Sequence, residues 1–423
     1  MKKHCLSVTN ADMNGQPSGQ EKPSRINILQ VQIGDSTFTG ISNYLYQQYK
    51  AIDPDKIHYD FLFTNQNSLI PFRNDPIFAG SVFYTLEARI GKDLCNNYMK
   101  ITRSLRKILR ENHYDIVVVN SSHLEIAAAC AAALTGIKDI VFITHAHNAG
   151  FVDLPMSLRT IFALPIRLID AYCRRVVLGK SAYLFACTDT AGRYTFGDRA
   201  IHQPNYIRIR NAIHPKPFQP DTAIRKRVRN ESGAGKDTLI FGGGGRLVHS
   251  KNLGFLLRVF DELRQIHPDS RLWLLGNGND QESLIRQARA LGLSQQVVFL
   301  GLRMDVPDLM QAMDAFVFPS LSEGLGIIAI EAQAAGLPTI ISDGVPDDTL
   351  ITPQAGRVPL SASPEEWAKA ILAQIRAFPD RTANAEAFSR SGYDIADEAG
   401  KITDLYIHIA AETQPATAKS GRI

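Results

Sequence analysis

The chain has 423 residues, of which 45% are hydrophobic and 21% are charged, and this is the composition of a globular protein large enough for two domains. No run of eighteen apolar residues occurs, so we expect no membrane-spanning helix. The five scattered cysteines lack the spacing of a disulfide framework or a zinc site.

The charge is divided unevenly along the chain. Residues 1–212 contain 24 Lys and Arg against 17 Asp and Glu, a net charge of +7, whereas residues 213–423 contain 22 against 25, a net charge of −3. The basic half should therefore face an anionic partner. A nucleic acid is disfavoured because no Lys/Arg block is interleaved with aromatic residues. An anionic membrane surface fits better.

The chain begins with residues 1–24, which lack the apolar core of a signal peptide and are predicted to be a disordered tail. A buried strand, Ile26–Ile33, then leads through a loop to Gly40 and a helical pattern. Strand, glycine-bearing loop and helix place the loop at the sheet edge that receives ligands in α/β proteins. The loop could equally be an ordinary turn whose glycine serves only the backbone conformation.

Two basic stretches of the first half have an amphipathic pattern. Residues 99–112 predict a helix with four apolar residues on one face, namely Ile101, Leu105, Ile108 and Leu109, and with basic residues over the rest. Residues 156–182 predict two further basic, apolar helices divided by Pro165. Such helices can lie on an anionic bilayer, or they can be ordinary helices that pack on the sheet.

Four more strands are predicted in the first half, at His58–Phe63, Tyr114–Asn120, Asp139–Thr144 and Tyr183–Thr188. The third of these is followed by His145, Ala146, His147 and Asn148. Two histidines at the end of a parallel strand are well placed for a functional site. Their spacing is compatible with metal binding, but no third ligand occurs nearby in the sequence.

The second half opens with a predicted strand, Leu239–Phe241, and a glycine-rich segment, residues 242–252. Four glycines allow the backbone to approach a ligand closely, and Arg246 and Lys251 supply positive charge. The glycine spacing does not match a dinucleotide fingerprint or a Walker A motif. The remaining interpretations are a phosphate-binding loop and a loop with surface cations.

A strand–helix–strand unit follows at residues 314–344, with strand Ala315–Phe318, helix Ile327–Ala335 and strand Thr339–Ser342. Two carboxylates lie eight residues apart in it, Glu323 in the turn and Glu331 in the apolar helix. Burial of a bare carboxylate is costly, and a helix N-terminus favours an anion nearby.

A sugar nucleotide could contact the helix N-terminus and both carboxylates, with its diphosphate at the helix start and its hydroxyls on Glu323 and Glu331. Alternatively, Glu323 caps the helix and Glu331 makes an internal salt bridge.

The segment SLSEGLGIIAIEAQAAGLPTI resembles the E-x7-E signature of the retaining glycosyltransferases of family 4, and the similarity runs from about Ile26 to Tyr406. Within that family the chain is most similar to the branch that assembles bacterial capsular polysaccharide and exopolysaccharide. The resemblance implies the α/β GT-B fold, in which two Rossmann-like doubly wound domains face each other across a cleft. It implies an acceptor domain at 25–213, a nucleotide-sugar domain at 221–390, and a helix at 391–412 that crosses back to the first domain.

The implied function is transfer of a sugar, with retention, from a nucleotide donor to a glycan or a lipid-linked acceptor. The donor is expected to be UDP-linked, and the place of action is the cytoplasm, at the inner face of the plasma membrane. No metal cofactor is expected, because enzymes of this fold generally need none. A nucleotide-sugar epimerase and a non-catalytic sugar-nucleotide-binding module are the alternatives, and the E-x7-E motif with its accompanying cations argues against both.

The resemblance also implies roles for individual residues. His145, with His147 as the alternative, would lie beside the reacting sugar; Arg246 and Lys251 would hold the diphosphate. Glu323 would bind the sugar hydroxyls and Glu331 the ribose. Further substrate contacts, including a uracil edge near Leu302 and Arg303, are implied at Gly40, His147, Gly244, Gly276, Leu302, Arg303, Gly324, Leu325, Gly326 and Ile327.

Overall fold

The structure is a computed structural model that describes residues 8–9, 25–33, 40–64, 70–86, 94–121, 123–147, 163–381, 388 and 390–413. Contacts divide the chain into two compact units. The first comprises Met1–Asn148, Met156–Arg210 and Ile395–Ile423, and the second includes Asn211–Asp394. Each unit contains a largely or wholly parallel sheet with helices between its strands, as the predicted α/β fold class requires.

The first unit contains an eight-stranded sheet. Its strands are β1 (Val8–Thr9), β2 (Ile26–Gln32), β3 (Ile57–Phe63), β4 (Phe83–Thr85), β5 (Ile116–Asn120), β6 (Val141–Ala146), β7 (Tyr183–Ala186) and β8 (Tyr206–Arg208). Their order is β1-β4-β3-β2-β5-β6-β7-β8, and only the β1–β4 pair is antiparallel. The chain runs outward from β2 to β4 and then returns to β5 beside β2. The strand order therefore reverses between β2 and β5, where ligands bind in such sheets.

Helices cover the faces of this sheet and complete its core. They are α1 (Gly40–Ala51), α2 (Ile70–Arg73), α3 (Leu94–Glu111), α4 (Leu124–Ala133), α5 (Ala163–Lys180), α6 (Asp189–Phe196) and, at the end of the chain, α13 (Ile395–Thr413). The last helix buries Ala399, Ile402, Tyr406 and Ile409 against the strand residues of this unit. It therefore belongs to the first unit, although the chain reaches it only after the whole second unit.

The second unit contains a six-stranded sheet that is parallel throughout. Its strands are β9 (Leu239–Gly244), β10 (Ser270–Leu275), β11 (Val297–Gly301), β12 (Ala315–Phe318), β13 (Thr339–Ile341) and β14 (Ala355–Arg357). Their order, β11-β10-β9-β12-β13-β14, is the Rossmann order, and it reverses between β9 and β12. The helices are α7 (Thr222–Glu231), α8 (Leu253–Ile266), α9 (Gln281–Ala290), α10 (Val306–Ala312), α11 (Ile327–Ala334) and α12 (Pro364–Ala377).

One prediction about the first unit, the disordered tail, is wrong in part. Val8 and Thr9 pair with Tyr84 and Phe83 at the edge of the sheet, because the edge strand offers unpaired backbone groups there. The rest of the predicted tail, residues 1–7 and 10–24, lies outside the described residues.

The predicted division at Pro165 stays a prediction, because the structure describes only the part of the stretch that begins at Ala163. Pro165 lies in the first turn of helix α5. Proline is tolerated in the first turn because the N–H groups there have no partner within the helix. The start of the predicted basic stretch, 156–162, lies outside the described residues.

The glycine-rich segment of the second unit begins later than predicted, because Gly242, Gly243 and Gly244 are the last residues of β9. A Cβ atom at Gly242 would lie 2.3 Å from the Sδ of Met313, and one at Gly244 would lie 2.6 Å from the carbonyl oxygen of Leu275. The lack of a side chain at these two glycines therefore leaves room for the Met313 side chain and for the neighbouring strand β10. The loop that can meet a ligand is residues 245–252.

No helix among the described residues is long and apolar enough to cross a membrane.

Candidate active site

Two loops meet where the strand order of the second sheet reverses. Residues 245–252 follow β9 and residues 319–326 follow β12, and these strands are neighbours in the sheet. The backbone N–H of Leu321 donates a hydrogen bond of 2.7 Å to the carbonyl oxygen of Ser250. The hydroxyl of Ser320 lies 2.8 Å from the same oxygen. The structure thus joins the two segments that carry the predicted cations and the first predicted carboxylate.

At this junction Lys251 and Glu323 form an ion pair between Nζ and Oε1. The two side chains are only 18% and 9% exposed. The ammonium group also lies 5.2 Å from the centroid of the Phe318 ring, and Ser320 donates a hydrogen bond of 2.6 Å to the same Oε1 of Glu323. A predicted cation and a predicted carboxylate are therefore held together in a sheltered position, where electrostatic interactions are stronger than in bulk water.

Helix α11 starts beside this pair without a side-chain cap. Its N-cap residue is Gly326, whose φ of 85° lies in the left-handed region that favours glycine. The carboxylate of Glu323 is bonded to Lys251 and Ser320 rather than to backbone N–H groups of the helix, so the alternative that Glu323 caps it is wrong. The side chain of Leu325 is buried in the core, and Ile327 is the first helical residue. Backbone groups of residues 324–327 therefore form the N-terminal end to which an anion would bind.

Glu331 lies one turn into α11 and is partly buried. Its carboxylate makes no hydrogen bond or ion pair with any residue in the described part of the chain. The predicted alternative of an internal salt bridge is therefore wrong. Burial raises the pKa of this carboxyl group from 4.5 to about 7. The ionised form of such a buried carboxyl group is stabilised when a ligand hydroxyl donates a hydrogen bond to it.

Arg246 is exposed in the loop that follows β9, one residue after Gly245, whose φ is 112°. A Cβ atom at Gly276 would lie 2.0 Å from the carbonyl oxygen of Gly245, so the loop after β10 packs directly on the loop after β9. The predicted contact residues Gly244 and Gly276 therefore shape this corner of the sheet through backbone packing.

Leu302 and Arg303 follow β11, at the edge of the sheet. Leu302 is 62% exposed, and Arg303 makes hydrogen bonds of 2.7 and 2.5 Å to the two carboxylate oxygens of Asp305. Strand β11 lies two strands from β9, a distance of about 10 Å at the usual spacing between strands. Arg303 is thus already paired with Asp305. To contact a base it would have to use its remaining N–H groups or break this ion pair.

A second cluster of predicted residues lies in the first unit, at the carboxyl end of β6. The rings of His145 and His147 have centroids 3.9 Å apart, and Tyr44 of α1 lies 6.0 and 5.7 Å from them. The Nε2 of His147 is 3.1 Å from the Oδ1 of Asn120, whose Nδ2 donates to the Oε1 of Gln30 at 2.8 Å. Since this Oδ1 can only accept, Nε2 of His147 carries the proton.

His145 differs from His147 in having an unused nitrogen. Its Nε2 is buried and has no hydrogen-bond partner in the part of the chain that the structure describes. Burial, together with the adjacent His147, holds the pKa of His145 well below its usual value, so the ring is neutral at pH 7. The Nε2 of this neutral imidazole can form a hydrogen bond with a ligand hydroxyl. Within the described residues no group of three or more His, Cys, Asp or Glu side chains is arranged to hold a metal ion.

Gly40, the remaining predicted contact, is the exposed first residue of α1. Residues 34–39 of the loop that precedes it, and Asn148 after the histidines, lie outside the described residues.

Three residues of these clusters had no role in the sequence interpretation. Ser320 stands within the quoted glycosyltransferase motif, and Asn120 ends a predicted strand, which is a position that often carries functional side chains. Their positions were therefore visible in the sequence, but their partners were not. Tyr44 had no signal beyond the helical spacing of its segment.

Sequence comparison identifies relatives across most of the chain. The family described as "Glycosyl transferases group 1" matches residues 224–383. The Bacillus subtilis protein named "Putative glycosyltransferase EpsF" is 30% identical over 373 residues, which are 85% of this chain and 90% of that protein. An Escherichia coli relative, named UDP-Gal:alpha-D-GlcNAc-diphosphoundecaprenol alpha-1,3-galactosyltransferase, is 25% identical over 91% of this chain and 97% of its own length.

Solved structures share the fold at low sequence identity. HepE of Anabaena, crystallised in complex with UDP, is 17% identical with a TM-score of 0.69, and the match covers 90% of this chain and all of HepE. Sucrose-phosphate synthase of Thermosynechococcus elongatus is 17% identical with a TM-score of 0.73, over 92% of this chain and 100% of that enzyme.

Fold, relatives and the site in the second unit define a class of enzyme, the glycosyltransferases of the two-domain α/β type called GT-B. This confirms the fold class and the enzyme class predicted from the sequence. More specifically, the chain belongs to the group 1 glycosyl transferases. The epimerase and the non-catalytic binding module are therefore set aside.

Proposed function

We propose that this enzyme transfers a sugar from a UDP-linked donor to a glycan or lipid-linked acceptor, with retention at the anomeric carbon, during assembly of a surface polysaccharide. In this proposal residues 221–390 bind the donor and residues 25–213 bind the acceptor. The reaction breaks the bond between the anomeric carbon and the diphosphate oxygen, and negative charge grows on the departing UDP. Catalysis of this step therefore requires positive charge placed in advance around the diphosphate.

One observation carries the proposal, namely the Lys251–Glu323 ion pair beside the uncapped start of α11. A lysine ammonium and a helix N-terminus are both groups that stabilise a diphosphate. Arg246 lies in the same loop and can add a second cation. The carboxylate of Glu323 accepts hydrogen bonds, so it suits sugar hydroxyls rather than phosphate oxygens.

The ribose and the acceptor have candidate partners of their own. Glu331 offers a partly buried carboxylate without a protein partner, which suits the donor's ribose hydroxyls. His145 offers a neutral imidazole whose Nε2 has no hydrogen-bond partner among the described residues, whereas Nε2 of His147 is engaged by Asn120. We therefore favour His145 over His147 as the residue beside the reacting sugar. Leu302 and Arg303 remain our candidates for the base.

The relatives support the choice of donor and acceptor. The name of the Escherichia coli relative specifies a UDP-sugar donor and a diphosphoundecaprenol-linked acceptor, and HepE has been solved with UDP and with UDP-glucose. By analogy, the present enzyme would take a sugar from UDP and meet its acceptor at the cytoplasmic face of a membrane. We expect no metal cofactor to be required.

The first unit carries a surface suited to an anionic membrane. Helix α4 packs between α3 and α5, and five large apolar side chains among the described residues of the two outer helices are exposed, namely Met99, Leu168, Ile169, Tyr172 and Leu178. Exposed basic side chains on the same helices are Arg103, Lys107, Arg110, Arg175 and Lys180. Apolar side chains can enter the headgroup region while the cations attract anionic lipid. This association with an anionic membrane is part of our proposal.

Arg106 is an exception among the basic residues of α3. Its guanidinium donates hydrogen bonds of 2.8 and 3.1 Å to the carbonyl oxygens of Ala132 and Ala133, at the end of α4. It therefore stabilises the C-terminus of α4 and is not counted with the membrane-facing charges.

The test of this function is a donor screen that measures nucleotide release from UDP-, GDP- and ADP-linked sugars, with and without a bacterial lipid extract. We expect release from a UDP-sugar that increases when the extract supplies an acceptor. Anomeric configuration of the product, read by NMR coupling constants, tests retention. Release only from a GDP- or ADP-linked sugar would refute the donor assignment, and an inverted product would refute retention.

A further inference from the structure

Ser320 is a fully buried residue at the centre of the junction between the two loops of the second unit. Its hydroxyl oxygen lies 2.6 Å from Oε1 of Glu323 and 2.8 Å from the carbonyl oxygen of Ser250. A serine hydroxyl has one proton, so it can donate to only one of these acceptors at a time. The carboxylate is charged and closer, so the proton points to Glu323. The carbonyl of Ser250 keeps the N–H of Leu321 as its partner meanwhile.

We propose that Ser320 is a positioning residue, which orients Glu323 and, through it, Lys251 for the donor. This inference rests on the function proposed above. Oε1 of Glu323 accepts from both Ser320 and Lys251, while Oε2 has no hydrogen-bond partner among the described residues. The carboxylate is thereby held with one oxygen anchored to the protein and the other available to a sugar hydroxyl.

The same arrangement orients Lys251. An ammonium group has three protons, and one of them is directed to Glu323. The other two can reach oxygens of a diphosphate without loss of the ion pair. The side chain of Lys251 also lies over the Phe318 ring, which restricts where the ammonium can move. Loss of the Ser320 hydroxyl would release the anchored oxygen, and both charged groups would then adopt a wider range of positions.

The second acceptor of Ser320 allows Glu323 to move at low cost. If the carboxylate turns towards the donor sugar, the hydroxyl of Ser320 can rotate to the carbonyl oxygen of Ser250, 2.8 Å away. The buried hydroxyl then keeps a hydrogen bond in both positions. This matters because a buried donor left without an acceptor destabilises the state in which it occurs.

A purely structural role is the competing explanation, since Ser320 also ties the two loops together. Ser342 provides a matched control for it. Ser342 is likewise fully buried, and its hydroxyl donates to the carbonyl oxygen of Ser320, but it makes no hydrogen bond to the Glu323 carboxylate. Replacement of either serine by alanine removes one buried hydroxyl from the same junction. Only Ser320→Ala removes the hydrogen bond to the carboxylate.

The experiment compares kcat and KM for the UDP-sugar, the affinity for UDP and the melting temperature in Ser320→Ala and Ser342→Ala. We expect Ser320→Ala to lower kcat by about 10-fold to 100-fold, the usual effect of removing a hydrogen bond to a charged group. Ser342→Ala should stay within about 3-fold of the wild type, a change below that expected from one charged hydrogen bond. UDP affinity should fall less than kcat in Ser320→Ala, because Lys251 keeps its charge and is only held less firmly, and it should change little in Ser342→Ala.

A double-mutant cycle separates positioning from structure. If Ser320 acts through Glu323, then Ser320→Ala should add little to the loss of kcat already caused by Glu323→Gln. Independent, additive losses would overturn the inference. So would equal kcat values for Ser320→Ala and Ser342→Ala. Should Ser320→Ala fail to fold, Ser320→Cys keeps the size of the side chain and weakens the donor, and it should show an intermediate kcat.

These outcomes distinguish the inference from the proposed function. A wild-type enzyme that releases no nucleotide from any donor refutes the proposed function, and the positioning role falls with it. An active wild type in which the two serine variants behave alike leaves the function intact and overturns only the role of Ser320.

Discussion

Glu331 provides a test in which the magnitude can be worked from the structure. Burial raises the pKa of its carboxyl group from 4.5 to about 7, so between these pH values the folded protein holds a proton that the unfolded chain releases. Stability contributed by this group is therefore present at low pH and is lost as pH rises from 4.5 to 7. The difference in pKa corresponds to about 3 kcal/mol, and solvent contact of the partly exposed group reduces this to about 1–2 kcal/mol.

The substitution Glu331→Gln keeps the shape of the side chain and removes the charge. We expect it to stabilise the second unit by about 1–2 kcal/mol at pH 8 and to have little effect at about pH 3.5, where Glu331 is mostly protonated in both states. Urea unfolding of both proteins at the two pH values measures this difference. Glu365→Gln is the matched control, because Glu365 is an exposed helical carboxylate paired with Lys369. A stability difference of the same size at both pH values would refute the reasoning.

Binding of UDP should also depend on the protonation of Glu331. If ribose hydroxyls donate to Glu331, they favour its ionised form, so UDP binding at pH 7 should release a proton from this carboxyl group. Calorimetry in two buffers of different ionisation enthalpy would detect the release. Glu331→Gln should bind UDP more weakly at pH 8 and should lose this part of the proton release, whereas protons from the UDP phosphate remain. Unchanged UDP affinity in the variant would refute the ribose assignment.

Three further predictions concern the remaining residues. Arg246→Ala and Lys251→Ala should each lower nucleotide release by about 10²–10³-fold. Lys251→Ala should also lower the melting temperature, because it leaves the carboxylate of Glu323 without its cation. His145→Ala should reduce sugar transfer by at least about 10² while UDP affinity measured by calorimetry stays unchanged, because His145 lies in the first unit. Leu168→Ser combined with Tyr172→Ser should reduce sedimentation with anionic vesicles at low salt, since both side chains are more than 60% exposed.

Each of these predictions has a control in the same unit. Lys236→Ala removes an exposed cation from another loop of the second unit, and His202→Ala removes an exposed histidine from the first; neither should affect turnover. Arg106→Gln should destabilise the protein without a change in vesicle binding, because this arginine bonds to the end of α4. The assignments are wrong if a control reproduces the effect of its test variant, or if the wild type ignores anionic vesicles.

The amino-acid sequence by itself determined the elements and the family of this protein. Strand Ala315–Phe318 has the predicted bounds, and helix α11 ends one residue earlier than predicted. Four apolar residues predicted to share a face of α3, namely Ile101, Leu105, Ile108 and Leu109, are buried in the structure. These features depend on residues close together in the chain, where helical and strand periodicity can be read directly.

The partners of the site residues were decided only by the tertiary structure. Lys251 and Glu323 are 72 residues apart, and the sequence left open whether Glu323 caps a helix. Ser320 acquires its role because β9 and β12 are neighbours, although two other strands lie between them in the chain. Arg106, predicted as one of several surface cations, instead bonds to the end of another helix. Such contacts follow from strand order and helix packing, which bring distant segments together, whereas periodicity reports only the environment of each segment along its own length.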